Sequence, residues 1–192
     1  MGRLLTFKLD GSSSTKDRGD EQEHYACTKS EELIAAFTQI LTQTNDTQEK
    51  AIAQKAADVT TIIAREAFNF LIPCPTTTDI DHMKKAAIYL TQITTANPNY
   101  HFGNTVKEAK CHAIKKAWKN TAIAQDSLYK SSPIDPIVQQ ALNLLITAIN
   151  LLLETTELML YANIATTYRE KERALAKARL AITSAILQLA NK

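Results

Sequence analysis

Glycine is nearly missing from this chain. Of four glycines in 192 residues, three stand at positions 2, 11 and 19, and only Gly103 lies beyond them. No Gly-rich turn is therefore available to bring backbone N–H groups against a phosphate, which excludes nucleotide binding through a phosphate loop. Cysteine is scarce too. Cys27, Cys74 and Cys111 are odd in number and nowhere spaced C-x-x-C, which argues against a disulfide framework and for a reducing compartment, the cytoplasm by default. No charged leader followed by an apolar run opens the sequence, so no secretory signal is expected, although export by another route stays open. Met1-Gly2 with Thr6 meets the loose acylation template, but Arg3 and Leu4 suit it poorly, and no acylation is expected. Charge of one sign is also lacking: 22 cationic against 20 anionic residues leave a net charge of +2, too little to draw the whole chain to nucleic acid.

What is present is helical punctuation. Residues 1–27 read as an N-terminal arm and linker. Leu5, Phe7 and Leu9 alternate with polar neighbours as in a short strand, and GSSSTKDRGDEQEH follows with almost nothing apolar. From residue 28 to 192 the expectation is one all-α domain, long enough to bury roughly 70% of its unfolded surface without a staple. Six helices are expected, at about 29–44, 47–71, 79–95, 105–129, 136–162 and 168–190. Capping patterns mark several starts: Thr28-x-x-Glu31, Asp46-x-x-Glu49, Thr105-x-x-Glu108 and Thr167-x-x-Glu170. Prolines mark several stops, at Pro73-Cys74-Pro75, at Asn97-Pro98 and at Pro133. Between Pro136 and Lys192 neither glycine nor proline interrupts, so a single long helix is conceivable. The β-branched stretch 163–167 and the cap at Thr167 favour a break. No period recurs among the helix pairs, which argues against a repeat array.

Candidate chemistry is sparse. Cys111 and His112 are neighbours on a helix, where adjacent side chains point about 100° apart and cannot share a proton. Glu21-x-x-His24 and Asp79-x-x-His82 have the spacing of di-metal bundle ligands, but the first lies in the linker and the second at a helix start, where both residue types cap or face water. A zinc site from His24, Cys27, Cys111 and His112 lacks regular spacing. No cofactor and no metal are expected. The segment 105–130 is locally basic: Lys107, Lys110, Lys115, Lys116, Lys119 and Lys130 stand against Glu108 and Asp126. His112, Lys115, Lys116 and Lys119 share an arc opposite the apolar one and form a candidate anion-binding face. Without interleaved aromatics or arginine this does not read as specific nucleic-acid recognition.

The segment 136–162 carries the most information. Gln139, Gln140, Asn143, Thr147, Asn150, Glu154, Glu157 and Tyr161 fall in a polar strip about 100° wide, and the rest of the circumference is mainly Leu, Ile and Ala. Pro136 to Leu153 is uncharged and near bilayer-spanning length, but amides repeating on one side are costly in hydrocarbon, so no membrane span is expected. A helix this apolar is covered on three sides. Either the bundle covers all of it, or part of it, such as Leu144, Ala148 and Leu151, meets another chain. The expectation is a non-enzymatic protein–protein interaction module of adaptor, chaperone or effector type. Its partner is another protein or a second copy of itself, bound through an apolar helix face and through Leu5, Phe7 and Leu9 of the arm. The alternatives are an enzyme with a dispersed site, from residues such as Glu66, His82, Tyr100 and His101, and electrostatic attachment to nucleic acid or anionic membrane through the lysine face.

Overall fold

The computed structural model describes residues 32–40, 46–94, 106–131 and 133–190. All regular structure among them is helical, and six helices are present: α1 within 32–40, α2 Thr47–Leu71, α3 Thr78–Thr91, α4 Val106–Lys130, α5 Pro136–Ile164 and α6 Tyr168–Ala190. The protein is an all-α helical bundle, as the punctuation indicates. The arm, with Leu5, Phe7 and Leu9, lies outside the described residues, as do the cap patterns starting at Thr28 and Thr105.

Local chemistry explains the starts. Each orphan N–H at a helix N-terminus needs an acceptor, and short polar side chains supply one. Asp46 Oδ1 accepts from the Glu49 N–H at 3.0 Å, Thr77 Oγ1 from Ile80 at 3.2 Å, Asp135 Oδ1 from Ile137 at 2.8 Å and Thr167 Oγ1 from Glu170 at 3.1 Å. Pro136 occupies the first turn of α5, where its missing N–H has no bond to lose. The anticipated break after α5 is real: Ala165 turns extended, and α6 begins three residues later. One boundary differs. α3 ends at Thr91 rather than at about residue 95, because Gln92 and Ile93 bond back to Tyr89 and Leu90 in tightened turns.

The chain is rich in threonine, a β-branched residue that helices tolerate poorly. In the core its hydroxyl is satisfied by its own helix. Thr38, Thr61, Thr121, Thr155 and Thr156 are buried, and each donates to the carbonyl four residues earlier. Thr60 instead donates across the bundle to the Ala148 carbonyl at 3.4 Å, tying α2 to α5.

α5 is the hub. It packs along α2 and α6 and touches α3 and α4, while α3 pairs with α4 and with α2. Leu142, Leu145, Ala148 and Ile149 are sealed within it. At about 1.5–3 kcal/mol for each large side chain buried, this packing outweighs any propensity term. α5 is also the one helix among the described residues long and apolar enough to cross a membrane, with a mean hydropathy of 1.5 over its most apolar window, yet 56% of that window is buried inside the bundle. Leu144, at 6% exposure, and Leu151, at 4%, are likewise covered by the chain's own helices.

Candidate functional site

α6 lies on α5 and α2 as an edge helix. Only three residues link it to α5, so the two run antiparallel. Its inward stripe is Leu175, Ala178, Ile182 and Ala185, all buried. Ile186 is exposed, and Leu189 is only partly covered. The inward stripe is spaced three-four-three, and a second stripe, spaced four-three-four, runs down the other side: Ala176, Leu180, Thr183 and Leu187. All four are exposed, Leu180 at 64% and Leu187 at 56%. The fold uses the first stripe and leaves the second without a helix against it among the described residues.

Beside this stripe a groove of about 560 Å³ opens between α5 and α6. Thr147, Asn150, Leu151, Glu154 and Leu158 form the α5 wall; Lys177, Leu180, Ala181, Ser184, Ala185 and Gln188 form the α6 wall. Eleven residues separate Thr147 from Leu158, and eleven separate Lys177 from Gln188. At ~1.5 Å per residue both walls are about 16 Å long, three helical turns. Thr147, Asn150 and Glu154 of the polar strip of α5 thus stand on one bank of this groove. Glu154 lies ten residues before the end of α5 and Lys177 nine after the start of α6, so both stand about 15 Å from the connecting turn. They face each other at one level. No ion pair joins them among the described residues, whose ion pairs are Lys85–Asp81, Lys130–Asp126 and Lys171–Asp46.

The groove offers little to catalysis. Lys177 and Ser184 are seven residues apart on one helix, a rise of about 10 Å, so the amine cannot take the hydroxyl proton. No group of three His, Cys, Asp or Glu side chains gathers anywhere among the described residues.

At the turn end of the groove, α2, α5 and α6 meet in a polar joint. Lys171 donates to Asp46 at 3.2 Å, and the Asn163 amide, with its nitrogen turned inward, donates to the Glu49 carboxylate. Glu49 is 1% exposed. Burial raises its pKa, with the Asp46 charge adding to the effect and the Asn163 bond opposing it. Asp46 is held below the usual carboxylate range, chiefly by the Glu49 N–H and, against some desolvation, by Lys171.

The lysine face of α4 is smaller than its sequence suggests. Lys110 is 8% exposed and donates to the Ile93 carbonyl at 2.6 Å, closing the end of α3. Lys130 pairs with Asp126 at 3.2 Å. Lys115, Lys116 and Lys119 remain at the surface. His112 is half-buried rather than exposed, edge-on to Tyr89 with ring centroids 6.3 Å apart. Burial holds its pKa below the ordinary value, and the charges of Lys116 and Lys115 add to that.

The dispersed-site candidates do not converge. His82 Nδ1 bonds Asn120 Oδ1 at 2.8 Å between α3 and α4, and Asp79 accepts from Ser127 nearby at 3.0 Å. Glu66 lies beside Phe70, Gln140 and Leu189. Tyr100 and His101 are outside the described residues. Leu144, Ala148 and Leu151 are brought together, but inside the bundle, with only Leu151 reaching the groove wall. Sequence reasoning did not single out Leu180 and Leu187, although their spacing with Ala176 and Thr183 was there to find.

No protein-family model matches this chain, and no curated protein or solved structure does either.

Proposed function

We propose that this protein is a non-enzymatic interaction module that receives a single amphipathic helix of another protein in the α5–α6 groove. The observation that carries this is the second stripe of α6. Ala176, Leu180, Thr183 and Leu187 run in heptad spacing along the exposed side of α6, and Leu180 among them lines a groove three turns long. A helix seated there extends the bundle by the same packing that built it. Large apolar side chains in heptad spacing next to a concave surface are the ordinary anatomy of a helix-binding site. The joint at Asp46, Glu49, Asn163 and Lys171 fixes the two walls at one end, so the groove is preformed. The half-buried thiols of Cys74 and Cys111 are free, which suits an adaptor working in a reducing compartment.

A photo-crosslinking residue at Ser184 tests this in cells that make the protein, with one at Lys116 as control. The expected product is a crosslink at Ser184 that maps to a helix-forming segment of one protein and disappears with Leu180→Asp. Equal crosslinking from both positions, or none from Ser184, would overturn the proposal.

A further inference from the structure

Resting on that reading, we infer that the helix received by the groove is charge-sorted: it carries a carboxylate on the flank that meets Lys177 and a cation on the flank that meets Glu154. Both residues line the groove at the same level on opposite walls, and no ion pair joins them to each other or to any other described residue. While the groove is open, water solvates both. An occupant expels that water, and a charge left buried and unpaired is strongly unfavourable. Glu154 and Lys177 cannot relieve each other across an occupied groove, so the occupant supplies both counter-charges.

Neighbouring residues support the same assignment. Arg173, one turn before Lys177, is exposed and without an ion pair among the described residues, which strengthens the demand for carboxylate on the α6 side. The far end of the groove, at Thr147, Ser184 and Gln188, is uncharged, so the charged pair marks one end of the occupant only. An anionic membrane fits less well, because Glu154 in the wall repels it. A second copy of α6 offers no carboxylate in its final two turns, residues 184–190, to answer Lys177.

Three synthetic amphipathic helices of about 18 residues with one shared leucine face decide the matter: one with Glu on one flank and Lys on the other, one with Glu on both, one with Lys on both. Anisotropy titration against the full chain is expected to favour the mixed helix by about tenfold over either uniform one. Lys177→Glu is expected to move the preference to the all-Lys helix, and Glu154→Lys to the all-Glu helix. Neither residue has an ion pair to lose, so circular dichroism is expected to stay unchanged. Equal binding of all three helices overturns the charge sorting and leaves the groove as a docking site. Binding of none overturns both. Two further outcomes also overturn the inference: Lys177-dependent sedimentation with phosphatidylserine vesicles in place of peptide binding, and concentration-dependent self-association that Leu180→Asp abolishes.

Discussion

Lys110 places its ammonium 2.6 Å from the Ile93 carbonyl, from a position on α4 that is only 8% exposed. α3 ends two residues before Ile93, and the lysine takes up a carbonyl that no further helical turn can satisfy. Burial lowers the pKa of this lysine from 10.5. In the window between the lowered value and 10.5 the unfolded chain binds more protons than the folded one, so stability rises with pH there. Urea midpoints measured at closely spaced alkaline pH values are expected to show that rise in the native chain and to lose it in Lys110→Met.

The joint at the start of α2 behaves in the opposite sense. Glu49 is raised above 4.5, so its contribution to stability is complete below 4.5 and is lost as pH rises through its folded value. Asp46 is lowered below 3.8, so its contribution is present above 3.8 and lost as pH falls through its folded value. Stability is therefore expected to increase as pH falls from neutrality towards 4.5 and to decrease further down. Glu49→Gln should flatten the first limb in thermal melts and leave the second in place. Asp46→Ala removes the cap and the Lys171 pair, and is expected to cost about 1–2 kcal/mol at neutral pH.

Core and groove residues of similar chemistry are expected to differ sharply. Leu145 is sealed in the centre of α5, and Leu145→Ala should cost about 2–5 kcal/mol. Leu187→Ala, on the exposed stripe of α6, should stay within about 0.5 kcal/mol. Denaturant titration of the two variants measures the contrast directly; a comparable loss at Leu187 would mean that something already covers the stripe.

His112 gives a spectroscopic reading of the lysine face. Its ring is expected to titrate below 6.5 by NMR, because burial and the charges of Lys116 and Lys115 disfavour the imidazolium. Lys116→Gln should bring the midpoint part of the way back, and an unmoved midpoint would leave burial as the whole cause.

Much of this fold was legible in the sequence, for local reasons. Asp46 and Thr167 cap where their spacing predicts, and the break between α5 and α6 falls at the β-branched stretch. These features depend on neighbours a few residues away. The end of α3 was less legible, because the bonds of Gln92 and Ile93 tighten the turn ahead of the proline that suggested a later stop. The groove was hidden for a different reason. Helical periodicity tells which side of a segment is apolar but not which neighbour covers it. The apolar flank of α5 at Leu144, Ala148 and Leu151 therefore looked available and is buried, whereas Leu180 and Leu187 are exposed because α6 rests on two helices only. Lys110 shows the same limit: a lysine on a basic helix reads as surface until a partner carbonyl is located.

The central claim, an open apolar stripe beside a preformed groove, is tested most directly by solvent paramagnetic relaxation of leucine methyl groups in the full-length protein. With a soluble gadolinium chelate, the Leu180 and Leu187 methyls are expected to relax strongly while those of Leu144, Leu145 and Leu151 stay protected. Protected Leu180 and Leu187 methyls in the isolated chain would contradict the account, because the surface assigned to a partner helix would already be filled.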